Sequence, residues 1–260
     1  MVAACTAKVR PLQEPKPAAS APVEVLVVPL RGALVLEDMA LCQRALREAA
    51  ANGMRVVFRL EDAGGAEEFL GDVESLLDAV QATKVATTAV VRGHARGGAA
   101  WLALLCDRLC MLPRSDLGDV APIETTGEAL RALLENQAER QRLEALGASM
   151  RERMLKKRGG DKLRQDVVRV CEAMANRTLR LVTAVVRDRG VETTRVLTAE
   201  ELAELQKQGA TIVSQDAMTQ PMVLTDREVA DLGLGSVAQS MDDVLADVLR
   251  VDRTQVGELE

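Results

Sequence analysis

The chain has 260 residues, 48% hydrophobic and 28% charged, with a formal net charge of −6 and a pI of about 5.2. That length buries a sizeable core in one large domain or two small ones, and the composition excludes wholesale disorder. The acidic balance excludes a nucleic-acid binder and any general attraction to anionic membranes, because both need a basic face.

Other exclusions follow from rare residues. One Trp, two Phe and no Tyr leave no stacking platform for single-stranded nucleic acid. Five cysteines with no CxxC pair do not read as a disulfide framework, and the single histidine, His94, leaves no cluster with zinc-ligand spacing. No metal or other cofactor is expected. No apolar run reaches the length of a transmembrane helix, and no complete signal peptide is written in the sequence. Val2-Ala3-Ala4-Cys5 has the look of the cleavage end of a lipoprotein signal. An envelope location is therefore the expectation, with a cytoplasmic one as the alternative.

In chain order, residues 1–22, with Pro11, Pro15, Pro17 and Pro22, read as a flexible leader. Val23–Leu30 is a β-branched run suited to a buried strand. Residues 36–52 show helical spacing (Met39, Cys42, Ala45, Leu46, Ala49), closed by Asn52-Gly53. Met54–Leu60 is a second buried strand, Glu61–Gly65 a turn, and 66–81 an amphipathic helix. Val85–Val91 is a third strand, Gly93–Gly98 a glycine-containing loop, Ala99–Cys106 a short apolar helix, and Leu109–Leu112 a fourth strand. This alternation predicts parallel βαβ units.

The second half is different. Residues 127–158 form a long charged helix with one apolar stripe, and Lys162–Ala175 form another. Strands are expected at Leu179–Val186, Arg195–Leu197, Ile212-Val213 and Met222–Leu224. Thr198 and Thr225 each open a helix with a glutamate three residues on. Met241–Leu249 is a final amphipathic helix. We read 127–175 as a helical arm and 179–224 as a strand-rich insertion within one domain spanning 23–260.

The informative constellation is a pair of glycine pairs. Gly64-Gly65 follows a strand, and Gly97-Gly98 opens a helix after the next strand. Amides freed by such turns point at anions, and two of them on adjacent parallel strands can form an oxyanion hole. Cys106-Asp107, the strand Leu109–Leu112 and then Pro113–Asp119 follow in order.

On these residues the chain resembles the Clp-protease/crotonase superfamily, and within it the membrane-associated NfeD-type serine proteases, relatives of signal peptide peptidase A. Leu60–Gly65 resembles the family's Asp-Thr-Pro-Gly-Gly segment. Ser115–Ile123 resembles its Gly-Ser-x-Ile-Gly-x-x-x-Pro-Ile segment, with Leu117, Gly118, Pro122 and Ile123 in register. The resemblance implies an α/β fold, a ClpP/crotonase-like spiral of ββα units with a helical arm. It also implies a homo-oligomer, with the long helix as one candidate interface, and a peptide or membrane-protein partner.

The family's nucleophilic serine stands ten residues before the position of Asp107, which here is Gly97. Its general base is a lysine on the following long helix, where this chain carries Arg140 and Arg142. An arginine stays protonated and cannot act as that base. The resemblance thus implies a protein without catalytic residues, a scaffold or a peptide binder using Gly64, Gly65, Gly97 and Gly98. Two alternatives remain open at this point. One is an active serine endopeptidase with a relocated dyad, cleaving hydrophobic segments of membrane proteins, for which Ser115 with His94 as base is the candidate pairing and Ser149 a further serine. The other is an acyl-CoA-type hydrolase or isomerase using the oxyanion hole alone.

Overall fold

The computed structural model describes residues 24–64, 75–76, 78–80, 82–120, 135–158, 164–188, 190–220, 222–250 and 256–259. The proline-containing leader, Gly65, Pro122 and Ile123 lie outside these residues. So do most of the expected helix 66–81 and the first part of the expected helix 127–158; helical residues are present at 75–76, 78–80 and 82.

The first half builds a parallel sheet. Strands β1 (Val25–Ala33), β2 (Arg55–Gly64), β3 (Thr87–Ala95) and β4 (Arg108–Met111) lie side by side. Helix α1 (Leu36–Asn52) joins β1 to β2, and α2 (Gly97–Leu105) joins β3 to β4. A short strand β5 (Asp116–Gly118) pairs with the top of β3, beyond the end of β4. Val25, Leu26, Val27, Val28, Val56, Val57 and Phe58 are all buried, as expected of parallel strands covered on both faces.

One sheet face carries Leu26, Val28, Leu30, Phe58, Leu60, Ala89 and Val91, in one core with residues of α1 and α2. Helix α2 is buried from Ala99 to Leu105, so its sequence is apolar on every side. The other face carries Val25, Val27, Val57, Val90 and Cys110.

The second half supplies helix α3 (Gln137–Arg158), helix α4 (Gln165–Ala175), and a separate antiparallel sheet. Its strands β6 (Leu181–Asp188), β7 (Val191–Thr198) and β8 (Thr211–Ala217) run in the order β7-β6-β8, with α5 (Ala199–Lys207) between β7 and β8. The chain then returns to the main sheet. Strand β9 (Val223–Thr225) pairs antiparallel with β5, α6 (Asp226–Asp231) follows, and β10 (Ser236–Val237) extends the sheet beside β4. A helical turn, Met241–Asp243, runs into a π-helical segment, Val244–Leu249, whose Val244 and Leu245 pack on the second face of the sheet. Strand β11 (Val256–Glu258) closes the other edge beside β1.

Several expectations shift. Glu61–Gly64 is not a turn but the end of β2, and Gly93–Ala95 is the end of β3. The charges on these segments read as loop because hydrophobicity marks burial, and here the strands run on where one face opens to water. Met241–Leu249 is π-helical for most of its length, and β10 and β11 carry too few residues to announce themselves. Helix α3 lies against α4 and also meets α2, and its Leu143, Met150 and Met154 are buried. At Gly147 the two helices approach so closely that a Cβ would stand 2.7 Å from the Asn176 Cβ.

Candidate functional site

The site is assembled at the carboxyl ends of β2 and β3, the edge where open α/β sheets place their ligands. Arg96 follows β3 in extended geometry and donates its N–H to the Ala63 carbonyl at 2.9 Å, which sets the start of α2 beside β2. Gly64, the last residue of β2, faces the Arg96 side chain; a Cβ there would lie 3.3 Å from the Arg96 Cβ. No side chain caps α2; the Ala99 and Ala100 amides donate to the Arg96 carbonyl at 3.1 and 3.3 Å, which leaves the amide of half-buried Gly98 as the first-turn donor with no acceptor among the described residues. That donor, together with the positive end of the helix dipole, favours a carbonyl oxygen or an anion.

Gly97 is the first residue of the helix and has φ of +52°, in the left-handed region that costs any other L-residue. Its N–H donates to the Asp119 carbonyl at 3.1 Å. Asp119 is itself held at a positive φ of 47°, and its N–H donates to the Met222 carbonyl at 2.8 Å. Its carboxylate accepts from the Arg177 guanidinium, Nε to Oδ1 at 3.1 Å, and the Arg177 side chain is only 3% exposed. Sequence reading missed both residues. The link joins positions 58 apart; Asp119 falls in the Ser115–Ile123 segment without a role of its own there, and Arg177 carries no local motif. Gly118, just before, is needed for close approach: a Cβ there would stand 2.2 Å from the Met222 carbonyl oxygen.

The other candidates fall as follows. Ser115 is buried, and its hydroxyl donates to the Leu112 carbonyl at 2.6 Å. His94 is exposed; its Nδ1 lies 2.9 Å from an Asp116 oxygen, and its amide donates to Asp62 at 3.1 Å. Asp116 also pairs with Arg96. No hydrogen bond joins His94 to Ser115 among the described residues. Arg140 and Arg142 are exposed on α3, and Arg142 contacts only Glu139 at 3.5 Å among the described residues.

The one lysine of α3 with a nearly buried side chain is Lys157, and it is committed elsewhere. Its Nζ lies 2.8 Å from Asp107, and its side chain is 9% exposed. Asp107 follows α2 and accepts from both the amide and the hydroxyl of Thr87, at 2.8 and 2.9 Å, at the foot of β3. Gly97 and Asp107 thus flank α2, which at 1.5 Å per residue puts them about 15 Å apart. Burial alone would raise the Asp107 carboxyl; the Lys157 ammonium and the Thr87 donors outweigh it and hold the group below its ordinary value.

No group of three or more His, Cys, Asp or Glu among the described residues could hold a metal ion. No helix of the described residues is long and apolar enough to cross a membrane. A cavity of about 580 Å³, lined by residues including Gly53, Met54, Arg55, Lys84 and Val85, opens at the amino ends of β2 and β3, at the opposite end from Gly64 and Gly97-Gly98.

A parallel sheet with helices packed on it, and a helix opened by glycine at the carboxyl end of β3, make this a ClpP/crotonase-like α/β fold. Comparison with solved structures agrees. A lysine-to-alanine mutant of the 1510-N membrane-bound stomatin-specific protease, in complex with a substrate peptide, superposes with a TM-score of 0.53 at 13% identity, covering 86% of this chain and 80% of that one. A serine-to-alanine mutant of the same protease gives 0.56 at 12% identity, covering 92% and 99%. A third structure, of this protease from Pyrococcus horikoshii, gives 0.44 at 13% identity over 86% and 78%. The sequence itself matches no family model and no curated protein.

Proposed function

We propose that this chain is a non-catalytic relative of the NfeD/Clp-type serine proteases that holds peptide at the carboxyl edge of its sheet. Gly97 carries the reading. It stands where the resemblance places the nucleophile, and it has no side chain to attack with. Among the described residues nothing nearby replaces it, since the Ser115 hydroxyl already donates to Leu112 and Lys157 is spent on Asp107. What remains are the Gly97-Gly98 turn, the end of β2 at Gly64 and the Gly98 amide at the start of α2, which suit a backbone carbonyl of a bound peptide. An oligomeric scaffold is the form in which we expect this binding to be used.

The test is hydrolysis of a panel of apolar fluorogenic peptides, with an active Ser–Lys relative run alongside. The expected result is no turnover, with binding of the same peptides seen by fluorescence polarisation and weakened by Gly98→Val. Gly97→Ser alone should remain inactive, because it restores a hydroxyl without a base. Turnover by the unmodified chain that disappears in Ser115→Ala would overturn the proposal.

A further inference from the structure

The three-stranded sheet has two free edges, and they differ. Strand β8 carries a bulge opposite Val185 and Val186, which bends that edge away from further pairing. Strand β7 carries no such device. It pairs with β6 in unbroken register from Val191 to Thr198, holds no proline or lysine, and is exposed from Val191 to Arg195. Only two residues, 189 and 190, join β6 to β7, so Asp188 and Val191 stand opposite each other as the hydrogen-bonded pair that closes a two-residue turn. The alternation from there turns the backbone of Glu192, Thr194 and Val196 outward. Arg169 agrees with this phase, donating from Nη1 to the Val196 carbonyl at 3.3 Å. The outward amides and carbonyls of Glu192 and Thr194 have no partner among the described residues.

The charges along this edge are paired within the chain, with two exceptions among the described residues. Glu192 meets Arg187, Arg164 meets Asp166, and Arg169 meets Glu201. The Asp188 and Arg195 side chains have no ion pair or hydrogen bond among the described residues. They are one negative and one positive charge, both exposed. Both lie on the sheet face that carries Val191, which is 64% exposed. Within one chain they do not meet: Asp188 stands opposite Val191, and Arg195 is four residues further along β7, about 13 Å away.

From this edge we infer that β7 pairs antiparallel with β7 of a second copy of this chain, across a two-fold axis at Thr193. The inference rests on the scaffold half of the reading above, to which it gives an interface, and is independent of the peptide half. Three registers near the middle of the strand set outward residues opposite outward residues. One centred on Glu192 sets the two Glu192 carboxylates against each other, which is destabilising. One centred on Thr194 needs the Val196 carbonyl, which Arg169 already holds. The register centred on Thr193 avoids both. It sets Glu192 opposite the partner's Thr194, a pair that exchanges two hydrogen bonds and occurs twice. It also sets the partner's Arg195 opposite Val191. The arginine stem then covers that exposed valine, and its guanidinium reaches Asp188 one strand further in. The Cα atoms of Asp188 and the partner's Arg195 are two strand spacings apart, about 10 Å, and the axis makes the contact twice. Beyond Val191, the partner's Gly190 falls opposite Val196, at a cavity of about 480 Å³ between β7 and the start of α4. A foreign strand would have to supply both charges at this same spacing; a second copy carries them already.

Sedimentation velocity of the full chain tests this. The expected species at about 100 µM is a dimer that dissociates on dilution and weakens in about 0.5 M NaCl, as a small, charge-assisted interface does. Thr194→Pro removes an outward N–H and spares the pairing with β6, so it should weaken the dimer by about tenfold or more. Gln215→Pro, the matching change on the outer edge of β8, should leave the dimer unchanged. Arg195→Asp and Asp188→Arg alone should each weaken it about tenfold. The double variant Asp188→Arg/Arg195→Asp should return it to within about threefold of the unmodified chain. Recovery by that exchange separates a contact between copies from damage to the fold. Thr193→Cys should cross-link two copies under mild oxidation, since Thr193 faces itself across the axis. A monomer at this concentration overturns the pairing, while peptide binding at the glycine turn, measured by polarisation, stands or falls apart from it. A monomer that takes a strand-forming peptide, with binding lost in Thr194→Pro, would assign the edge to a foreign partner and overturn the second copy. A dimer indifferent to Thr194→Pro, or a charge exchange that restores nothing, would place the contact on another surface.

Discussion

At the scale of the residue, Gly118 is where the site is least tolerant. Its missing side chain lets the backbone pass within reach of Met222, and Asp119, next in the chain, donates to that same Met222 carbonyl. Adding one methyl group forces that contact apart. Gly118→Ala should destabilise the protein by about 2–3 kcal/mol, the cost of overpacking a site that cannot relax. Denaturant unfolding measures it. A change under 0.5 kcal/mol would mean that the β5–β9 pairing gives way more easily than its geometry implies. The carbonyl of Asp119 also holds the Gly97 amide, so the same variant should weaken peptide binding even where it remains folded.

At the scale of the element, the caps were the clearest part of the sequence. Thr198 accepts from the Glu201 amide at 3.2 Å, as the sequence implied for a threonine cap, and Glu201 accepts from the Thr198 amide at 2.9 Å, which completes a reciprocal box. Thr225 and Glu228 repeat it. Thr198→Ala should cost about 1 kcal/mol, a fall in Tm of roughly 2–4 °C for a chain of this size, seen by calorimetry. Helix α1 was legible to the residue, since its apolar spacing ends at Asn52 and Gly53 then takes the left-handed cap. Strand ends were not legible. Glu61, Asp62, Arg92 and His94 look like loop residues, yet they continue β2 and β3 along the half-open face. The glycine turn at 97 was visible because glycine pairs are local signals. Arg177 and Asp119, which brace it, were invisible because an ion pair across separate elements leaves no periodicity. For the same reason Lys157 gave no sign that it would pair with Asp107 rather than face the site.

At the scale of the whole molecule, that pair ties the end of α3 to the foot of the main sheet. Lys157 reaches both Asp107 and, at 3.4 Å, the Val80 carbonyl. The Asp107 carboxyl titrates below its ordinary value, so its contribution to stability is present at neutral pH. That contribution is lost as the pH falls below about 4 and through the depressed folded-state value. Asp107→Asn should therefore be less stable than the unmodified chain at pH 7, and the gap should narrow towards pH 3. Urea midpoints across that range test it; a gap that stays constant with pH would place the loss in the Thr87 hydrogen bonds instead of the ion pair.

The closing strand has a consequence in time. β11 pairs with β1, Leu259 donates to the Val27 carbonyl at 2.9 Å, and Glu258 meets Arg59 across 199 positions of sequence. Until residue 256 has been made, the outer edge of β1 is a row of unpaired amides and carbonyls flanked by valines. At 5–20 residues per second, a ribosome leaves that edge open for roughly 10–45 s after β1 has emerged. During that interval it is the natural template for a foreign strand. A nascent chain of this protein is thus most vulnerable to mispairing at its first strand, and shortening it by the last few residues would make that vulnerability permanent.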